Sequence, residues 1–166
     1  MIPENFQLRN ASRTVKLFLT AFLAVLSFGY AFGLVFVHHT TSMSPEGVLE
    51  QYRGNGPDNL TRGELKYEKT VDEMLTFTHN HVLSLTILFF IVGGILLFSS
   101  SPPDPWKRLL IIEPFVAILT TFGGLWLMRF SSGWFVWLVI LSGVSMVLCY
   151  LAAVYIILRE LWFLKS

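Results

Sequence analysis

The chain has 166 residues, 54% of them hydrophobic and only 14% charged, against roughly 25% charged in an ordinary soluble domain. Its net charge of +1, with no basic patch interleaved with aromatics, excludes nucleic acid as a partner. The single cysteine, Cys149, lies in a hydrophobic run, which excludes a disulfide framework and a CxxC metal site; without a CxxCH motif, no haem is attached covalently.

Four stretches meet the requirement of about 17–25 mainly apolar residues for crossing a bilayer. They are residues 17–37, 82–98, 109–128 and 134–158. The fold class expected is therefore all-α, a single integral membrane four-helix bundle. The start of the chain also imitates a secretory signal, with basic residues, an apolar run and Ala31-Phe32-Gly33. The apolar run continues through Val37, longer than a signal core, so an uncleaved span is the preferred reading. Within this span Gly29 and Gly33 form a small-xxx-small pair, which predicts a helix contact.

Residues 38–78 follow as a 41-residue loop, the one sizeable polar region. Ser44-Pro45-Glu46 reads as an N-cap, a proline at the first helical position and an acid in the first turn. A short helix to about Arg53 then ends at Gly54-Asn55-Gly56. From Glu68 onward glycine and proline are absent, so the second long helix is expected to begin before its apolar part. Pro102, Pro103 and Pro105 separate the second and third spans, and the tight turn 130–133 makes the third and fourth an antiparallel hairpin.

Lys and Arg near span ends set orientation. Arg9, Arg13, Lys16, Lys107, Arg108, Arg159 and Lys165 fall on one side; Arg53, Arg62, Lys66, Lys69 and Arg129 fall on the other. The second group is diluted by seven acids (Glu46, Glu50, Asp58, Glu64, Glu68, Asp72, Glu73). Both termini are thus expected in the cytoplasm of a bacterial cell, with residues 38–78 on the periplasmic face of the inner membrane.

All four histidines, His38, His39, His79 and His81, fall at the borders of the first two spans, on that outer side. Imidazole ligates haem iron and other transition metals. At about 100° per residue, His38 shares a stripe with Thr20, Ala24, Ser27 and Ala31. His79 shares one with Asp72, Thr86 and Gly93. Small and polar positions mark where membrane helices meet or house a cofactor, so His38 and His79 are the expected inward pair. Paired imidazoles from two spans at one depth suit axial ligation of a b-type haem. Helix axes roughly 8–10 Å apart would not admit the porphyrin, so the first two spans must be diagonal or splayed. Arg129 is the expected propionate partner, with Tyr52 and Arg53 as weaker candidates. The other readings are a zinc, copper or iron site using three or four of the histidines, and histidines simply solvated at the interface with no cofactor.

Glu113 is a second polar anomaly. It lies in a stripe with Ala117, Thr120 and Gly124, so it is expected to face the bundle, either for proton or quinol handling or as an interfacial carboxylate near its helix start. Trp126 is the aromatic expected nearest a cofactor. No HExxH, phosphate-cradling Gly loop or defensible Ser-His-acid spacing supports hydrolytic chemistry.

Ser44-Pro45-Glu46-Gly47, Tyr52-Arg53-Gly54-Asn55, Glu73-Met74-Leu75 and Thr78-His79-Asn80-His81 together resemble an uncharacterised bacterial family of small four-span membrane proteins, over roughly residues 20–100. In general plan the chain is also similar to membrane-bound four-helix b-type cytochromes, which relay electrons between a quinone pool and periplasmic partners. That similarity implies an electron-transfer subunit of a larger respiratory assembly, or one serving a periplasmic redox protein, with quinone as a further partner. The chain departs from the cytochromes in having every histidine at one face, room for a single haem. A non-redox accessory or anchor subunit is the alternative of a different class.

Overall fold

The computed structural model describes residues 7–55 and 65–164, and among them every regular element is a helix. Four long helices, α1 (Arg13–Thr41), α3 (Val71–Leu97), α4 (Asp104–Phe130) and α5 (Val136–Trp162), carry the bulk of the chain; α2 (Pro45–Arg53) is short. All four long helices are apolar enough to cross a bilayer. At 1.5 Å per residue each is about 40 Å long, more than the roughly 30 Å hydrocarbon core requires. The protein is an integral membrane helical bundle.

α1 and α3 run past their apolar stretches because caps, not hydropathy, set where they begin. Ser12 caps α1, accepting from the Val15 amide. Thr70 and Glu73 form a reciprocal capping box that starts α3 well before its apolar part. The segment joining α1 to α3 is therefore residues 42–70 rather than 38–78. Gly56, Asp58, Arg62, Glu64 and Lys165 lie outside the described residues.

The core is built mainly between α4 and α5, the antiparallel pair joined by a tight turn that includes a 3-10 turn at Gly133–Phe135. Ala117, Phe122, Leu125 and Met128 of α4 pack against Val139, Met146, Tyr150 and Ala153 of α5. Gly124 allows the closest approach: a β-carbon there would meet Val139 Cγ2 at 3.1 Å. α3 lies on this pair through Met74, Phe89, Val92 and Leu96.

α1 is peripheral, burying only Leu23 and Thr41 along 29 residues. It leans on α5, where Ser27 Oγ and Tyr150 Oη are 2.9 Å apart and the Tyr30 and Tyr150 rings stack at 4.1 Å. Nearer its start, Trp162 Nε1 donates to Thr20 Oγ1 at 2.9 Å. Gly29 and Gly33 have open space around them. The contact expected of that pair is not made within the chain, because the face α1 turns inward carries Leu23, Ser27, Tyr30 and Thr41 instead.

The two ends of the bundle differ. At one, which we call the terminal end, the Leu8 amide bonds the Phe98 carbonyl at 3.0 Å. There Glu160 of α5, fully buried, accepts from Ser99 Oγ and from the Ser100 and Ser101 amides. At the other, the cap end, α2 and residues 65–70 cover the ends of α3, α4 and α5.

Candidate functional site

The cap end collects most of the residues singled out in the sequence. α1 ends where Ser42 and Met43 take positive φ, and the chain turns directly into α2. Ser44 caps α2, its Oγ accepting from the Gly47 amide at 3.0 Å. Gly47 is packed onto the end of α1, so that a β-carbon there would lie 1.9 Å from the Thr41 carbonyl oxygen. α2 ends at Gly54, whose φ of +76° favours glycine. Asn55, buried, then clamps the returning strand of chain: its Oδ1 accepts from the Lys66 amide at 2.6 Å and its own amide bonds the Lys66 carbonyl.

Two lysines complete this clamp. Lys66 Nζ reaches the Thr40 carbonyl at 2.7 Å and Gln51 Oε1 at 3.1 Å. The Lys69 amide bonds the Tyr52 carbonyl at 3.0 Å. The Tyr52 ring meets Phe77 edge-on, and burial pushes its phenol up to about 12. The motif residues behind the family resemblance are thus largely the residues that build the cap.

The expected propionate partners are already engaged. Arg129 Nε donates to the Lys69 carbonyl at 2.8 Å, Nη2 pairs with Glu68 at 3.2 Å, and the guanidinium lies over Phe130. Arg53 Nη1 points to the Met128 carbonyl at 3.4 Å. Both arginines tie the cap to α4, a role set by backbone carbonyls that a sequence does not display. Trp126 is similarly engaged, with Nε1 donating to Thr78 Oγ1 at 3.0 Å.

All four histidines are exposed. On α3, His81 rather than His79 turns toward the packed side. It lies in line with Leu85 and the buried Val92, and its ring stands 4.1 Å from that of Phe77 and 6.0 Å from Phe122 of α4. Its Nδ1 is 2.9 Å from the Phe77 carbonyl. His79 is about 140° round the helix from the buried Met74. The stripe of small and polar residues containing His79 is therefore not the packed face of α3; large apolar side chains are. On α1, His38 lies about 60° from the Leu23–Thr41 line and His39 about 160° from it. Among the described residues no three His, Cys, Asp or Glu side chains gather to hold a metal ion. The site of three or four histidines is not formed.

Glu113 does face the bundle. It is half-buried on α4, bonded by Ser145 Oγ of α5 and set beside the Cys149 thiol, with its Oε2 buried. Glu160, Lys66 and Tyr150 stand in no sequence motif that marks a site; their partners come from distant parts of the chain.

A cap stapled to a bundle of four membrane-length helices defines a small polytopic membrane protein. A family model described as a transmembrane helical domain matches residues 42–166, and the chain belongs to that family. The match bears out the family resemblance, over a stretch that starts at the cap, leaves α1 aside and runs to the last residue. No curated protein and no solved structure matches.

Proposed function

We propose that this protein is a membrane electron-transfer subunit holding one b-type haem at its cap end, in a bacterial inner membrane with the cap periplasmic and both termini cytoplasmic. The observation that carries the reading is the 2.9 Å bond between His81 Nδ1 and the Phe77 carbonyl. A carbonyl accepts only from a protonated nitrogen, so the lone pair of this imidazole sits on Nε2. That tautomer, fixed by a backbone carbonyl, is the one a ligating histidine needs. The Phe77 and Phe122 rings restrict its rotation.

In this reading His81 and His38 of α1 would hold the haem iron, with His79 the lesser candidate. α1 leans on α2 and α5 without packing along α3, so the two ligand-bearing helices are not held at the roughly 8–10 Å that excludes a porphyrin. Arg129, Arg53 and Tyr52 hold the cap in place rather than the propionates. Bound iron would supply one-electron transfer, with a periplasmic redox protein or a larger membrane complex as partner and quinone on the membrane side. Arg9, Arg13, Lys16, Lys107, Arg108 and Arg159 crowd the terminal end, which supports its cytoplasmic placement.

The test is optical. Protein purified from haem-replete cells gives a reduced b-type band that His81→Ala or His38→Ala abolishes and His39→Ala leaves intact. A colourless product overturns the reading. The thin packing of α1 favours a second one, a non-redox accessory subunit. In that case a colourless protein travels with a larger membrane complex only while α1 is present.

A further inference from the structure

At the terminal end a groove of about 320 Å³ runs between the start of the chain and α3. Leu8 and Leu19 form one wall, and Phe90, Gly94 and Phe98, spaced one helical turn apart, form the other. Its volume is near the lower end of the roughly 300–1,000 Å³ usual for ligand pockets. Every lining side chain is apolar, so water has no partners there, and an acyl chain lying along Phe90 and Gly94 gains dispersion contacts. Gly94 keeps it open, since nothing lies within 4 Å of where its β-carbon would be.

The rim is cationic. The bond from the Leu8 amide to the Phe98 carbonyl fixes the next residue, Arg9, beside the groove. Arg9 Nε is buried and makes no hydrogen bond among the described residues. Lys16 Nζ bonds the Arg9 carbonyl at 3.0 Å, which brings a second cation to the same place, and Arg13 opens α1 between them. Glu4, outside the described residues, is the one acid in the sequence before Glu46. Glu160, the nearby buried carboxylate, is committed to Ser99, Ser100 and Ser101.

From this pairing of an apolar slot with a basic rim we infer that the groove binds an anionic diacyl phospholipid, one acyl chain along Gly94 and the phosphate at Arg9. Basic pockets between membrane helices select anionic headgroups by this charge complementarity. The inference stands independently of any haem.

The test is native mass spectrometry of the full chain in detergent, offered phosphatidylglycerol and phosphatidylcholine with identical acyl chains. The wild type retains phosphatidylglycerol in preference. Gly94→Leu, which fills the slot, loses both lipids at an unchanged melting temperature. Arg9→Gln reduces the preference about fivefold, the scale of one basic side chain at a lipid surface. Should Gly94→Leu fail to fold, Arg9→Gln decides. Equal retention of the two lipids, undiminished phosphatidylglycerol on Gly94→Leu, or a neutral isoprenoid quinone in the lipid's place overturns the inference.

Discussion

Gly47 and Thr41 are in backbone contact: a β-carbon on Gly47 would stand 1.9 Å from the Thr41 carbonyl oxygen. Neither atom belongs to a flexible side chain, so neither can give way cheaply. Gly47→Ala must push α2 off the end of α1. Overpacking costs about 1–3 kcal/mol, and this case is expected at the upper end. A thermal melt in detergent checks it: the midpoint falls by several degrees, whereas Gly29→Ala, in open space, leaves it unchanged or raises it slightly.

Asn55→Ala removes the acceptor of the Lys66 amide in a buried position. A buried donor left unpaired costs about 1–3 kcal/mol. Hydrogen exchange localises the effect, with faster exchange at the Lys66 amide and in α2 while the centres of α4 and α5 stay protected.

Arg129 and Glu68 are predicted to behave very differently although they form one ion pair. Arg129 is 14% exposed and also holds the Lys69 carbonyl, while Glu68 is 69% exposed. Arg129→Ala forfeits a charged hydrogen bond worth about 1.5–3 kcal/mol. Glu68→Gln disturbs only a solvated pair worth about 0–1 kcal/mol. Comparing the two melts distinguishes a structural arginine from a free propionate partner, since only the former destabilises protein that carries no haem.

Tyr52 gives the cap a pH dependence. Its folded phenol is raised to about 12 from an ordinary value of 10, so folding favours the neutral form. The stability this burial lends is fully present below pH 10 and drains away as pH rises toward 12. Tyr52→Phe removes that component: its melting temperature falls less steeply than the wild type's between pH 10 and 12. Parallel slopes for the two proteins refute the assignment.

Glu160→Ala strands the Ser100 and Ser101 amides at the turn between α3 and α4. The expected loss is about 1–3 kcal/mol, with Glu160→Gln milder because one carbonyl acceptor survives. Yield of folded protein and melting temperature both report it.

Much of the architecture is legible in the sequence. Uncharged runs mark the four long helices, and Ser44-Pro45 and Gly54 bound α2 as capping chemistry requires. The inward faces are harder. In water an apolar stripe marks the core, but a bilayer rewards apolar side chains on every side of a helix, so polarity no longer separates inside from outside. Hence His79, on a stripe of small residues, looked inward, whereas α3 packs through Met74, Phe89, Val92 and Leu96 and turns His81 toward Phe122. Arg129 and Arg53 misled for another reason: their partners are main-chain carbonyls of Lys69 and Met128, which no side-chain pattern announces.

The slender attachment of α1 makes its surroundings part of its support. It is moored at Thr20, at Ser27 and Tyr30, and through the Thr40 carbonyl; between these points its flank is finished by whatever solvent surrounds it. Exchanging bilayer for micelle should thus loosen this one strut while the α3–α5 scaffold keeps its shape, and cross-linking α1 to α5 in each medium would report the difference.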